Sequence, residues 1–510
     1  MLLLPLLLRA QESNLSAGLV FDGEPYLVIN PSNTRNVAVA WMGYVLGQGI
    51  TIKIKSSSDG GSTWSGVKTL PHLSPTWHSA DPSMAFAKNG KLYLSYVDYR
   101  QSPDSGGVFV CSSTDGGNTW STPVQAFDLF DNGDKPLDRP WLAVDRSASA
   151  TSGNLYITTK PAPWDPTPNH PYYKYSTDGG NTWSSICTLD SADYPSNLIP
   201  APMAYPTVSS TGKLTMIYPS WKGGLNPARF VVGESTDGGQ TITRREVLSI
   251  TQGNGGDTIA KLGYTILVNP ADPNNLVFTG PDKSSGDYDI TSMYTLNGGN
   301  SWSARQRVND DSTGNNRDQE MVWQHFDESG NLAVAWRDRR HAGGSGYAQD
   351  YDIYAAVSRN KGQTFSKNFR LNQATAPYNT LLEQNGNDFL GLALADDTVY
   401  CAWGDMRTGK LNIFFSKTSA STGSNTSVRV AEEPLSLQCY PNPANHSLYL
   451  PVSVTRMAER YTLLDASGRI IRTATIPHNQ PIDVSELPRG LYWLQVQGKS
   501  LDALGRFVKD

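Results

Sequence analysis

Short hydrophobic runs separated by polar turn residues alternate along most of the chain. The first of these runs are YLVINP, NVAVAWM and ITIKIKSS, and each is about as long as a β-strand and lies near Gly, Asn, Asp or Pro. No stretch shows the spacing of apolar residues expected for an amphipathic helix. The pattern therefore predicts an all-β protein built from many short strands.

One decapeptide interrupts this pattern at regular intervals. SSTDGGNTWS begins at Ser112, and related copies place Asp or Asn at the same position, namely at Asp59, Asp115, Asp178, Asp237, Asn297 and Asn360. The copies are 56 to 63 residues apart, which suits a four-stranded unit and is too long for one turn of a solenoid. Radial repetition of such units leaves only short, protected sheet edges. The repeat therefore predicts a β-propeller.

Seven hydrophobic segments have the pattern expected of the innermost strand of a blade. They begin at Glu24, Asp81, Asp138, Tyr205, Gly263, Asp318 and Asp388. The seventh unit lacks a recognisable copy of the decapeptide. The sequence favours seven blades, with six as the alternative.

The decapeptide resembles the Asp-box, or bacterial neuraminidase repeat, of sialidases and several other secreted propellers. Its Ser, Asp and Gly residues suit a tight turn in which short polar side chains bond to nearby backbone amides. The resemblance implies that each copy joins the two outer strands of a blade on the face away from the ligand site. We therefore interpret the repeat as structural rather than catalytic, and note that sialidases have six blades.

The composition changes after residue 433, and the tail resembles a second known family. Its motifs are Tyr440-Pro441-Asn442-Pro443, Asp465 with Gly468-Arg469, Asp483-Val484 with Leu487-Pro488, and Gly490-Leu491-Tyr492. They are similar to the type A sorting domain of the type IX secretion system. The resemblance implies a small β-sandwich over 434–510, an interaction with the secretion machinery, and a protein that is secreted or attached to the cell surface after crossing the outer membrane.

The N-terminal segment predicts a signal peptide over 1–10, because Leu2 to Leu8 form a short apolar run before Ala10. The propeller is then expected over 13–433, with Ser427–Glu432 as a candidate closing strand. Seven apolar residues are far too few to span a membrane, and no other segment approaches the length that is needed. The four cysteines lie far apart, and we expect mostly free, buried thiols.

Charge and metal-ligand patterns narrow the range of partners. The net charge of -5 and the absence of a basic cluster argue against nucleic-acid binding. No cysteine or histidine spacing is typical of a transition-metal site, and no cofactor is predicted. The acidic loops Asp128–Asp138 and Asn309–Asp318 offer oxygen ligands for a structural Ca²⁺, but solvated turns are the favoured interpretation because neither has EF-hand spacing.

In a propeller, the starts of inner strands and the ends of second strands open on one face. This places several carboxyl groups and arginines around one mouth. The candidate catalytic residues are Asp81, Glu320 and Asp318, and the candidate substrate-binding residues are Arg139, Arg340, Arg407 and Arg100. Arginines grip carboxylates bidentately, and paired carboxyls perform the acid and base steps of glycoside hydrolysis. Because Asp-x-Arg recurs in three blades, a structural clamp is the competing interpretation.

The resemblance to sialidases implies specific residues, and only some are present. The Arg-Ile-Pro motif is replaced by Gly23-Glu24-Pro25, while Asp81 stands where the acid/base residue is expected. The nucleophilic Tyr is not assigned among Tyr205, Tyr264 and Tyr351. The missing motif counts against hydrolysis of sialic acid.

The sequence thus predicts a sialidase-like glycoside hydrolase that acts on extracellular glycans or glycoproteins. One alternative is a non-catalytic propeller that binds glycans or proteins, as an adhesin or sensor. Another is a polysaccharide lyase, in which a Tyr or His abstracts a proton beside a uronate carboxylate held by arginine.

Overall fold

The chain divides into two compact units, Gln11–Asn425 and a second unit that contains Thr426–Asp510. The computed structural model describes residues 12–510 except 19, 101–104, 130–136, 163–164, 197, 200, 222–227, 250–262, 380–385, 422–434, 438, 452–453, 455–457, 467–468, 478–480 and 499–500. The expected signal peptide, the candidate closing strand at 427–432 and most of the acidic loop at 128–138 lie outside these residues.

The first unit contains seven four-stranded antiparallel sheets, which are the blades of a propeller. One strand, β1 (Ser13–Asn14), precedes the first blade in the chain and belongs to the seventh. From the inside outward, blades one to three are β2–β5 (Asp22–Asn30, Asn33–Val45, Gly49–Ser57, Lys68–Thr69), β6–β9 (His78–Phe86, Leu92–Arg100, Ser105–Ser113, Val124–Asp128) and β10–β13 (Leu137–Val144, Leu155–Pro161, Tyr172–Ser176, Cys187–Thr188).

The remaining four blades complete the ring. They are β14–β17 (Tyr205–Val208, Leu214–Ser220, Arg229–Ser235, Thr243–Ser249), β18–β21 (Thr265–Asn269, Asp272–Asp282, Asp289–Thr295, Gln306–Arg307), β22–β25 (Gln319–Phe326, Leu332–Asp338, Asp352–Ser358, Phe369–Arg370) and β26–β28 (Leu390–Ala395, Thr398–Asp405, Asn412–Ser419) with β1 outside β28. Each inner strand contacts the next, and β26 contacts β2. The predicted β-propeller is confirmed, with seven blades.

The seventh blade is completed by the N-terminal part of the chain. Ser13 pairs with Phe415 and Asn14 with Phe414, and the Leu15 amide donates to the Ile413 carbonyl over 2.8 Å. The Leu15 side chain is buried beside Trp41. A strand from the beginning of the propeller therefore closes the ring against a strand from its end.

The sheets pack through aliphatic and aromatic side chains because both faces of the second and third strands of each blade are covered by neighbouring blades. Trp41, Trp336 and Trp403, each on a second strand, are fully buried. The near-continuous hydrophobic runs of the sequence thus become strands buried on both faces. Cys111, Cys401 and Cys439 are buried and Cys187 is half-buried, and all four are free thiols.

Every copy of the decapeptide forms the same turn between the third and fourth strands of its blade. In blade three, Asp178 Oδ1 accepts from the amides of Asn181 and Thr182 over 3.0 and 2.9 Å, and Asp178 Oδ2 accepts from Thr182 Oγ1 over 2.6 Å. Gly179 and Gly180 have φ of 72° and 89°, which L-residues with a Cβ rarely adopt. These turns lie on the face opposite the starts of the inner strands, and we call the two faces the repeat-turn face and the mouth face.

The second unit has two small sheets. The larger has the order β29 (Leu435–Ser436), β35 (Leu501–Lys509), β34 (Gly490–Gly498), β31 (Arg460–Asp465) and β32 (Ile470–Thr475), and the smaller pairs β30 (Ser447–Leu448) with β33 (Ile482–Asp483). Leu448, Leu463, Ile482, Leu494 and Phe507 share one core. The predicted small β-domain after the propeller is therefore present.

Candidate functional site

A β-bulge near the start of the inner strand recurs in several blades and turns one side chain out of the regular alternation. The residues at this position are Glu24, Asp81, Arg139 and Met321, with φ of 54°, 54°, 53° and 51°. A left-handed backbone at a residue other than glycine costs about 1–2 kcal/mol. In blades one to three the residue that follows is proline, which also removes a backbone donor from the ladder.

Four carboxyl groups from four blades meet near the axis on the mouth face. Arg139 Nη2 forms an ion pair with Asp388 Oδ2, and the Arg139 amide donates to Asp81 Oδ2 over 3.4 Å. Lys160 Nζ lies 2.6 Å from Asp138 Oδ2. Glu24 neighbours both Asp81 and Asp388. We call these six residues the axial cluster: Glu24, Asp81, Asp138, Arg139, Lys160 and Asp388.

The environments of the four carboxyls push their pKa values in opposite directions. Burial and the negative charges of Asp81 and Asp388 raise the pKa of Glu24 well above its usual range, and burial with the charge of Asp138 does the same to the pKa of Asp81. Burial also opposes ionisation of Asp138, but Lys160 and a hydrogen bond from Asp81 outweigh it and lower its pKa. Burial opposes ionisation of Asp388 too, yet Arg139 holds its pKa below the usual range.

Two buried oxygen atoms of this cluster have no hydrogen-bond partner among the described residues. They are Glu24 Oε2 and Asp388 Oδ1. A buried acceptor without a partner costs about 1–3 kcal/mol. The axial cluster therefore holds two acceptor positions that the described fold does not use.

Aromatic side chains close the central channel beneath the axial cluster. The ring centroids of Trp141 and Phe389 are 4.8 Å apart, and those of Trp141 and Trp323 are 5.4 Å apart. Tyr26 and Tyr205 complete the group. Between this floor and the Arg139–Asp388 pair lies a cavity of about 20 Å³, which is large enough for one water molecule.

The structure places Asp81 and Arg139, which the sequence singled out, in the axial cluster. Glu320 and Asp318 contact other groups. Arg339 Nη2 donates to Glu320 Oε1 over 2.7 Å in a fully buried pair, and Asp318 Oδ1 accepts from the Tyr288 amide over 3.1 Å. The three candidate catalytic residues therefore have different partners.

Two other candidate arginines each form an ion pair with an Asp of their own blade, and Arg340 also pairs with Asp310. Arg340 Nη2 lies 2.8 Å from Asp338 Oδ2, and Arg407 Nη2 lies 2.6 Å from Asp405 Oδ2. A tryptophan two residues before each Asp donates its indole N–H to the same carboxylate. In both blades the Asp of Asp-x-Arg thus binds the Trp two residues before it and the Arg two residues after it. Arg100 ends β7 opposite Ser105 and is half-buried.

Sequence reasoning placed Glu24, Asp138 and Asp388 on the mouth face but did not include them in the site, and it missed Lys160. A pattern shared by two blades could have identified Lys160. Asp138 pairs across the ladder with Lys160 just as Glu320 pairs with Arg337, at the same distance before the bulge in each blade. An acid before the bulge and a cation on the next strand form a cross-strand pair.

The comparisons with known proteins concern the two units separately. Residues 438–510 match the family model of the secretion system C-terminal sorting domain. The protein is exported through type IX secretion. It thereby reaches the cell surface or the surrounding medium, and no helix among the described residues is long and apolar enough to cross a membrane. A search of curated proteins gives no match to the chain.

Several solved structures are similar in fold at low sequence identity. A GH93 α-L-arabinofuranosidase of Fusarium graminearum in complex with arabinobiose is 13% identical over 80% of this chain and 98% of its own, with a TM-score of 0.44. A Hadza microbial sialidase is 13% identical over 76% of each chain, with a TM-score of 0.41. A protein of unknown function from Dyadobacter fermentans is 13% identical over 68% of this chain and 98% of its own, with a TM-score of 0.43.

Proposed function

We propose that this exported propeller is a glycoside hydrolase of extracellular glycans and that the axial cluster is its active site. The observation that carries the proposal is the meeting of four carboxyls with two cations, in which Asp81, with a raised pKa, lies beside Asp138, whose pKa is lowered. Such a pair supplies a protonated acid and an ionised base or nucleophile at the same pH. Asp81 is the proposed proton donor, with Asp138 or Asp388 as the ionised partner.

The charge of the axial cluster supports a catalytic rather than a structural role. Four carboxyls share two cations, Arg139 and Lys160, so two carboxyls have no cation of their own. Burying a carboxyl without a partner is unfavourable, and a purely structural site gains nothing from it. Neighbouring carboxyls whose pKa values are shifted in opposite directions are typical of functional sites.

The same charges favour a neutral sugar as the substrate. With Glu24 and Asp81 protonated, the charges of Asp138 and Asp388 balance those of Arg139 and Lys160. A sugar carboxylate would have to displace Asp388 from Arg139, which would leave a buried anion unpaired. The proposed substrates are therefore neutral glycans rather than sialylated ones.

A second candidate function is glycan or protein binding without catalysis. It is favoured by the pairing of the mouth-face arginines, because Arg139, Arg340 and Arg407 all have carboxylate partners. A binding surface would use these pairs as a rigid frame and need no proton transfer.

The deciding experiment incubates the purified protein with neutral, sialylated and uronate-containing glycans and measures the release of products. We expect product from at least one neutral glycan, and a loss of about 10²–10⁴-fold in rate for Asp81→Asn, since the amide cannot donate a proton as an acid. Asp310→Asn is the matched control, because Asp310 is half-exposed and its side chain pairs with Arg340.

Two results would contradict hydrolysis at this site, and a third would contradict the proposed substrate class. One is the absence of product from every glycan, which together with retained binding would leave the second candidate. Another is an equal rate for Asp81→Asn and the wild type. Product from sialylated glycans alone would contradict the neutral substrate class.

A further inference from the structure

A polar groove of about 530 Å³ lies on the repeat-turn face, between the first and second blades. Its walls come from the ends of the inner strands, the following turns and the decapeptide turns of both blades. Five asparagines line it, together with neighbouring serine and threonine hydroxyls: Asn30, Asn33, Asn36, Asn89 and Asn118. The groove is remote from the axial cluster in the fold, because the inner strands run from one face to the other.

The amides of the groove have two roles. Some hold its walls, since Asn36 Nδ2 donates to the carbonyls of Ser57 and Gly116 over 3.3 and 3.2 Å and thereby joins the two blades. Others are exposed at the rim. Asn33 and Asn89 use Oδ1 to accept an amide within their own turns, and no described residue accepts from their Nδ2 atoms. The rim therefore presents hydrogen-bond donors in a groove whose shape is fixed.

An aromatic side chain adds an apolar surface to this lining. Trp64 is half-buried and packs edge-on against Phe415 with centroids 4.9 Å apart. Its Nε1 atom is buried and has no described partner, so the part of the ring that reaches the groove is carbon. Neutral hydrogen-bonding groups beside an aromatic carbon surface match a sugar ring, which has hydroxyls at its edge and C–H bonds on its faces.

A neutral lining is not a general property of this face. A second cavity of about 330 Å³ opens there and is lined by charged residues, among them Arg146 paired with Glu328 and Arg359 paired with Asp397. The groove between blades one and two has a single carboxylate, Asp115, and neither Lys nor Arg among the described residues that line it. Asp115 is already bound by the amides and hydroxyl of its own turn.

We propose that this groove is a binding site for a neutral oligosaccharide, separate from the axial cluster. The site holds a segment of a neutral polysaccharide at the side of the ring opposite the mouth. The proposal is independent of any catalytic activity, because it requires only hydrogen bonding and packing. It adds a glycan-anchoring function to an exported protein.

Paired variants at equivalent positions test the site. Asn118 lines the groove, and Asn181 occupies the same position of the decapeptide turn in blade three, where each amide donates to the carbonyl of its own Asp. Asn118→Trp fills the groove, whereas Asn181→Trp makes the same change outside it. The probes are affinity gels that contain arabinan, xyloglucan, galactomannan or laminarin, with polygalacturonate as the anionic comparison.

We expect the full-length wild type and Asn181→Trp to be retarded in at least one neutral gel, and Asn118→Trp to lose at least about 10-fold in affinity, or 1.4 kcal/mol. Asn33→Ala, a smaller change at the exposed rim, should weaken binding without filling the groove. Equal retardation of the two Trp variants would overturn the proposal, as would retardation in no neutral gel or only in polygalacturonate. Unchanged product release by Asn118→Trp in the hydrolysis assay would separate this site from the mouth.

Discussion

At the scale of single residues, the most unusual feature is acidic side chains at strained backbone positions. Glu24 and Asp81 combine a φ of 54° with burial and with a carboxyl neighbour. Met321 has the same backbone conformation with an apolar side chain, so the bulge itself belongs to the fold. The acids at this position in two adjacent blades are therefore a property of the site and not of the bulge.

This arrangement makes stability depend on pH in a defined direction. Because burial and neighbouring carboxylates raise the pKa of Glu24 in the folded state, the folded protein binds more protons than the unfolded chain above the unfolded pKa of about 4.3. The stability that Glu24 contributes is complete below that pH and is lost as the pH rises through the folded pKa. Glu24→Gln keeps a neutral side chain at every pH, and it should raise the melting temperature most on the alkaline side.

Differential scanning fluorimetry at pH 5 and pH 9 measures this effect. The difference between Glu24→Gln and wild type should grow with pH, and each kcal/mol gained should raise the melting temperature by about 2–4 °C. Glu328→Gln is the control, since Glu328 is exposed and paired with Arg146 at the surface. The same melting temperature difference at both pH values would show that Glu24 is ionised in the folded protein.

The sequence identified part of the axial cluster because a charged residue followed by proline marks the start of an inner strand, and this motif can be recognised without knowing the fold. Asp81-Pro82 and Arg139-Pro140 recur at the same distance from the hydrophobic run. The pairing of Arg139 with Asp388 could not be predicted, because it joins blades three and seven, and the lengths of the intervening connections do not determine which side chains meet at the axis. The partners of Glu320 lie in its own blade, on the next strand and just after it, so they belong to the local cross-strand pattern and not to a contact between blades.

At the scale of elements, the decapeptide turn is a self-contained hydrogen-bonded unit. Its Asp uses one oxygen for two backbone amides and the other for a Thr hydroxyl. In two copies Asn replaces Asp, and the side-chain bond reverses, so that Asn360 Nδ2 donates to Thr364 Oγ1 over 2.9 Å. The turn tolerates this exchange because a hydroxyl can donate or accept. The sequence pattern predicted this element well, since all of its bonds are local.

Substitution of Asp178 measures the contribution of this turn to stability. We expect Asp178→Ala to cost about 1 kcal/mol, because two backbone amides and a hydroxyl lose their acceptor. Asp178→Asn should cost less, as the natural Asn copies show how the amide fits. Urea unfolding of both variants tests this, and an equal cost for Ala and Asn would show that the amide does not replace the carboxylate in this turn.

The pH dependence of the same turn has the opposite sign to that of Glu24. The hydrogen bonds from Thr182 and from the turn amides lower the pKa of Asp178 to about 2. Its contribution is therefore present above the unfolded pKa of about 3.9 and is lost as the pH falls through about 2. The stability gap between wild type and Asp178→Ala should narrow accordingly in acid.

At the scale of the whole molecule, seven sheets form a closed ring and one short strand joins its ends. The sequence predicted seven blades because each inner strand is a distinct hydrophobic segment. It did not predict the origin of the last outer strand. A two-residue strand at Ser13–Asn14 has no hydrophobic pattern of its own, and its partner is about 400 residues away in the sequence.

The substitution Leu15→Ala measures how much the closure of the ring by β1 contributes to stability. Leu15 is 2% exposed and packs in the core between the first and seventh blades, so its removal should cost about 2–5 kcal/mol through lost burial and the cavity left behind. Leu46→Ala is the control, because Leu46 is 89% exposed and should change stability by less than about 0.5 kcal/mol. Equal melting temperatures for the two variants would show that the ring is stable without this contact.

The position of β1 also sets the order in which the strands of the propeller can pair. Its partner β28 is synthesised after all other strands of the ring, so Ser13–Asn14 emerges first and finds its place last. Until then the chain carries an unpaired edge on β28 and an exposed Leu15. Bringing such distant segments together costs loop entropy before any contact compensates for it, which slows this step. The ring can therefore close only after all seven blades have been made. A chain that stops before blade seven would leave β1 without its partner strand.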